Sequence, residues 1–193
     1  FDLAFRRAKL PLAFSQGFSP ASLLSFGKAL PVGVASRAEW LGLTLREELD
    51  PAEIAARLRG KLPRGMEVLY VERLAMHKHL PQAVAETYTL EFLPPVRQND
   101  ATDPAGETSL AAWRAFAAEE HRAWVRETKK GPREYDLRAF FPEITVLADG
   151  NKEYLRLTFD WTRDYVSPLA LVLAVTPNSS VERVLLTKIA QTF

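Results

Sequence analysis

The chain has 193 residues, 47% of them hydrophobic, and a formal net charge of +1, which allows one large or two small domains but no argument from overall charge. It contains no cysteine, which excludes disulfides, thiolate zinc sites, cysteine nucleophiles and iron–sulfur ligation by this chain. No apolar run approaches the ~20 residues a bilayer span needs and no signal-peptide pattern is present, so a cytoplasmic setting without a membrane partner is expected.

The charge is unevenly placed. Residues 1–79 carry 12 basic and 8 acidic side chains, whereas residues 80–193 carry 13 and 16. The opening stretch is more extreme. Between Asp2 and Glu39 there is no carboxylate, yet Arg6, Arg7, Lys9, Lys28 and Arg37 fall there, with Phe14, Phe18 and Phe26. Cations neutralise phosphates and rings offer stacking surfaces, so such a segment suits a polyanion. The plainer alternative is that Phe14 and Phe26 are core residues and that the arginines solvate a helix end.

In chain order, residues 2–9 read as the last turns of a helix, with Arg6, Arg7 and Lys9 where cations suit the dipole. Pro11 stops it. The chain opens at Phe1 in a mid-helix pattern, predicting a preceding segment that carries a leading strand. Residues 12–15 form a short strand, 17–24 a loop, and 25–29 a second extended piece ending near Gly33. Leu41, Leu43 and Leu45 alternate with Trp40, Gly42 and Thr44, predicting a strand over 39–46.

Asp50-Pro51-Ala52-Glu53 is a helix start with a capping carboxylate and a proline in the first turn. Ile54, Ala55, Leu58 and Leu62 supply its apolar stripe, and residues 66–74 read as a strand. The pattern then repeats, with Tyr88, Leu90 and Phe92 on one face of a strand at 86–93 and a proline-containing loop at 94–108. A five-turn helix is expected over 109–128, with Leu110, Trp113, Phe116, Ala117 and Trp124 as its stripe. Strands at 143–147 and 153–161 flank the turn signal Asp149-Gly150-Asn151. A short helix from Ser167-Pro168 and a strand at 181–190 complete the order.

Two successive β-α-β-β-α-β units predict an α+β chain of two tandem ferredoxin-like modules, the first without its leading strand. The modules are expected at 1–79 and 80–193, with the boundary inside 75–84.

Few residues suggest chemistry. His77-Lys78-His79 makes a poor metal site and falls in the expected linker. No metal or cofactor is expected. Neither GxGxxG nor GxxxxGK[ST] occurs, and no Ser-His-Asp arrangement can be defended. In Tyr135-Asp136-Leu137-Arg138, Asp and Arg at i, i+2 on an extended segment share a face. They can hold a polar ligand jointly with Tyr135, or simply form a surface ion pair.

The run from Arg6-Arg7-Ala8-Lys9-Leu10-Pro11 through Ser15-Gln16-Gly17-Phe18-Ser19-Pro20 to Leu24-Ser25-Phe26-Gly27-Lys28-Ala29-Leu30-Pro31-Val32-Gly33-Val34 resembles the opening of an uncharacterised bacterial family. Its members are radical SAM-linked, or radical SAM-associated, proteins. The resemblance recurs at Tyr135-Asp136-Leu137-Arg138. It implies an accessory role beside a radical SAM enzyme, in the modification of RNA. Where many relatives carry a His-Pro-Lys run after the Gly-Phe-Ser-Pro motif, this chain has Ala21-Ser22-Leu23, which puts in doubt any catalysis inferred for them.

The leading expectation is a non-catalytic module that recognises structured RNA or another polyanion for that partner. Arg6, Arg7, Lys9 and Lys28 would contact phosphate, Phe18 would stack, Gln16 would lie within the same interface, and Gly17 and Gly33 would let the backbone approach. One alternative is an RNA-processing or RNA-modifying enzyme with Tyr135, Asp136 and Arg138 at a cleft between modules; absent Cys and scarce His count against it. Another is a protein-interaction module using sheet edges or the Trp113/Trp124 helix.

Overall fold

The computed structural model describes residues 1–74, 80–93, 105–150, 152–177, 179 and 181–193. The chain divides into two compact units. One comprises Phe1–Gly27 and Trp40–Pro81, the other Lys28–Glu39 and Gln82–Phe193.

The first unit opens with helix α1 (Asp2–Arg7), which buries Ala4 and Phe5. Lys9 takes a left-handed φ of 53° and the Leu10 amide donates back to the Phe5 carbonyl at 3.1 Å, closing the helix before Pro11 can disrupt it. Strands β1 (Leu24–Phe26) and β3 (Leu41–Leu43) pair antiparallel, and isolated bridges join Leu12 to Leu45 and Phe14 to Ser22. Helix α2 (Pro51–Leu58) is capped by Asp50, whose Oδ1 accepts the Ala52 amide at 2.8 Å. Ile54 and Leu58 on its inner face join Phe5, Ala8, Leu10 and Leu12 in a small core.

The second unit is built on a five-stranded sheet in the order β2-β9-β4-β8-β7. Its strands are β2 (Val34–Ser36), β4 (Ala85–Phe92), β7 (Glu143–Asp149), β8 (Lys152–Asp160) and β9 (Val184–Thr192). All neighbours are antiparallel except β2, which runs parallel to β9. Helices α3 (Ala105–Ala117) and α4 (Pro168–Val175) and a separate hairpin, β5 (Ala123–Thr128) and β6 (Gly131–Asp136), complete it. Alternation sends Leu155, Leu157 and Phe159 of β8 into the core, where Trp113, Phe116 and Phe141 pack edge to face with ring centroids 5.3–5.7 Å apart.

The chain is thus α+β, with several sheets and four helices among the described residues. Among them, the first unit holds one two-stranded sheet where a ferredoxin-like sheet short of its leading strand was expected. Residues 66–74 form no strand. Val68 and Val71 pack on the core while Met66, Leu69, Tyr70 and Leu74 stay exposed, a spacing that does not fit alternation. The helix expected over 109–128 ends at Ala117, and Trp124 sits on β5. The expected extended piece at 25–29 is instead split between β1 and a turn leading to β2. The His77-Lys78-His79 cluster and residues 94–104 of the expected loop lie outside the described residues.

Candidate functional site

The acid-free opening segment forms a loop fastened to a helix. Ser15 and Ala21 close the loop, the Ser15 amide donating to the Ala21 carbonyl at 2.8 Å and the Ala21 amide to Ser15 Oγ at 3.0 Å. Between them Gln16, Gly17, Phe18, Ser19 and Pro20 are all exposed, and the Phe18 ring touches solvent on every side. Gly17 has a φ of +138°, and a Cβ there would meet nothing within 4 Å. The glycine therefore serves the backbone turn and not a close approach by another part of the protein.

The base of this loop rests on α1. Ser22 Oγ donates to Asp2, whose other oxygen accepts from Arg6 Nε at 2.7 Å. The Arg6 guanidinium lies 5.5 Å from the Phe14 ring centroid. The Ser22 hydrogen bond, with help from Arg6, holds the Asp2 carboxyl below its usual range against the opposing effect of desolvation. Arg7 and Lys9 are exposed, and Arg57 reaches the same helix end by donating to the Lys9 carbonyl at 3.0 Å. The first unit thereby brings Arg6 against the base of the loop that carries Gln16, Gly17 and Phe18, with Arg7 and Lys9 exposed at the end of the same helix.

Lys28 and Gly33 belong to the second unit. Gly33, at φ +84°, occupies the third position of the exposed turn from Pro31 to Val34, where a type II geometry requires a positive φ. Lys28 is half-buried. Its ammonium lies 4.6 Å from the Tyr165 ring and 5.5 Å from that of Trp161, and donates to the Ala83 carbonyl at 3.4 Å. Burial lowers its pKa, with the Glu86 carboxylate acting in the opposite sense. Its charge is directed at aromatic faces of its own unit.

Tyr135, Asp136 and Arg138 do not converge on a shared point. Tyr135 donates to Asp164 Oδ2 at 3.1 Å. Asp136 Oδ1 accepts the amides of Arg122 and Arg138 at 3.1 and 3.0 Å, while Oδ2 lies 3.0 Å from His121 Nδ1. Arg138 turns to the Phe141 carbonyl. The motif is a corner that joins β6 to the 3₁₀ turn Arg138–Phe140.

Sequence reasoning missed a buried polar network. Lys188 Nζ lies 3.0 Å from Glu86 Oε1 and 2.7 Å from Glu39 Oε1. Glu86 Oε2 accepts from Tyr88 Oη at 2.9 Å and from Trp161 Nε1 at 3.0 Å. Burial, and then the adjacent Glu86 carboxylate, push the Tyr88 phenol far above its ordinary value, so it remains a donor. Tyr165 is raised for the same reasons. The signal was available: Glu86 is in phase with Tyr88 and Leu90, and Lys188 with Val184 and Leu186, on inward positions of neighbouring strands. Among the described residues, no group of three or more His, Cys, Asp or Glu side chains could hold a metal ion, and no helix is long and apolar enough to cross a membrane.

Residues 1–168 match the model of a family described as an uncharacterized protein conserved in bacteria, DUF2344. The chain belongs to this family. The matched span covers the basic loop, the Tyr135–Arg138 corner and the Glu39–Glu86 part of the buried network, but stops before Lys188. No curated protein matches this DUF2344 chain.

Proposed function

We propose that this DUF2344 protein is a recognition module for structured RNA, presenting it to a partner enzyme; the radical SAM resemblance suggests the class of that partner. The observation that carries the reading is the closed loop with Phe18 bare at its tip and its base held on α1, Ser22 donating to Asp2 and Phe14 lying under Arg6. An exposed aromatic ring on a loop anchored to a helix that carries cations suits an unpaired base and its flanking phosphates, since stacking is worth ~1–3 kcal/mol per base and phosphate contacts add a salt-dependent term. Arg6, Arg7 and Lys9 supply phosphate contacts, and Gly17 gives the backbone the conformation that projects Phe18. We read the second unit as a ferredoxin-like module, on its β-α-β-β-α-β element order with a hairpin inserted after α3 and β2 added at the edge.

Fluorescence anisotropy with a labelled RNA hairpin that carries single-stranded flanks tests the function. Wild-type affinity should fall steeply with salt. Phe18→Ala should weaken binding about tenfold, and Arg7→Glu with Lys9→Glu should both weaken it and flatten the salt dependence. A folded wild type that binds no RNA, or binds it independently of salt, overturns the reading.

A further inference from the structure

The hairpin of β5 and β6 pairs with no other strand among the described residues, its register running from Ala123↔Asp136 to Thr128↔Gly131. Strand alternation sorts its side chains by charge. One face holds Trp124, Arg126, Thr128, Gly131, Arg133 and Tyr135; the other holds Val125, Glu127, Glu134 and Asp136. Every cation and ring of the two strands lies on the first face, and every carboxylate on the second. The near-neutral composition of the segment conceals this separation.

Arg126 and Arg133 are direct cross-strand partners, a placement that costs stability through like-charge repulsion. Lys129 and Lys130 are exposed at the turn between them. Among the described residues one carboxylate answers these cations: Asp164, 3.2 Å from Arg133, with the Arg133 side chain still 59% exposed. Arg126 has no acidic partner among the described residues. The Arg133 guanidinium lies 5.3 Å from the Tyr135 ring, and Tyr135 in turn lies 5.8 Å from Trp124. Both rings pack against the unit's own core, so this face is covered at its base; toward the turn Arg126 is half-buried and Arg133, Lys129 and Lys130 are exposed.

We propose that the turn end of this face of the β5–β6 ribbon, with Arg126, Arg133, Lys129 and Lys130, docks the phosphodiester backbone of RNA. An anion placed between two opposed guanidinium groups turns their repulsion into paired, fork-shaped recognition, and the turn lysines continue the contact along the strand. Sorting the ribbon's own carboxylates to the far face leaves Asp164, at Arg133 and Tyr135, as the carboxylate that meets these cations among the described residues. The inference rests on the RNA reading above but uses other residues in the other unit.

The test uses the full chain and the same labelled RNA. Replacing Arg126, Lys129 and Lys130 together by Gln should lower affinity at least tenfold at low salt. The slope of log affinity against log salt should become shallower by about two to three. Glu127→Gln with Glu134→Gln, on the opposite face, should not weaken binding. Melting adds a second readout: because Arg126→Gln relieves repulsion, its melting temperature should hold or rise while RNA binding falls. A variant that instead loses stability in proportion to binding shows a structural role and overturns the proposal. Unchanged affinity in the ribbon variant beside weakened binding in Phe18→Ala also overturns it, leaving the loop reading intact. The converse result retains the ribbon and removes the loop. Displacement of RNA by inorganic phosphate at an equal concentration of phosphate groups shows a single-anion site and overturns the backbone assignment.

Discussion

Lys188 is 2% exposed and stands between two carboxylates, Glu86 equally buried and Glu39 at the solvent edge. Withdrawing such charges from water is expensive, and the pair persists because Glu86 also accepts from Tyr88 and Trp161 while Lys188 is held on two sides. A β-bulge between Thr87 and Tyr88 sets this up by placing Lys188, and not Ile189, opposite Tyr88. Lys188→Met should therefore cost about 3–5 kcal/mol by leaving Glu86 buried without its cation. The double variant Lys188→Met, Glu86→Gln should recover much of that loss, because Gln can still accept from Tyr88 and Trp161 without a charge. Urea unfolding of both single variants and the double one measures the coupling; strictly additive losses would show that the ion pair does not act as a unit. The strand phase that Glu86 shares with Tyr88 marks its inward position in the sequence, but no local feature names Lys188 as its partner.

At the scale of elements, the Tyr135–Arg138 corner shows how a short motif holds neighbouring elements together. Burial raises the Asp136 pKa, but the hydrogen bonds from His121 and from the Arg122 and Arg138 amides outweigh it and hold the carboxyl below its ordinary 3.8. A carboxylate with a lowered folded-state pKa contributes stability that is complete above the unfolded value and lost as pH falls through the folded one. Asp136→Asn should accordingly lower the melting temperature at neutral pH, and its difference from wild type should shrink as pH falls below 3.8. A difference that stays constant between pH 7 and pH 2, with both proteins folded, would show that the charge of Asp136 contributes nothing to holding the corner. The expected long helix fails for a related reason. Trp113, Phe116, Ala117 and Trp124 fit a helical stripe by spacing, yet Lys129-Lys130 at a turn ending in Gly131, φ +103°, closes a hairpin there. That turn could have been read from Lys-Lys-Gly-Pro, and the apolar spacing obscured it.

At the scale of the whole molecule, residues 28–39 lie between two stretches of the first unit in sequence and belong to the second in structure. Val34–Ser36 pairs with Leu186–Lys188, the Arg37 amide donates to the Lys188 carbonyl at 2.8 Å, and Gln191 Nε2 donates to the Ala38 carbonyl at 2.7 Å. In native-state hydrogen exchange the Arg37 amide should thus be protected together with β9, and not exchange at the rate of the exposed residues 16–20. Exchange as fast as that loop would show that β2 is not a stable part of the sheet.

Local pattern was enough to determine the α+β class, the capped start of α2, the alternation of β4 and β8 and the position of the basic loop. Each of these depends on residues a few positions apart, where backbone geometry and burial act directly on the sequence. Tertiary structure alone decided that Lys28 faces Tyr165 and Trp161, that Lys188 meets Glu86 and Glu39, and that β2 joins β9 in parallel. These partners lie more than a hundred residues apart, and their pairing follows from closing long loops around a shared core. No local periodicity encodes that closure.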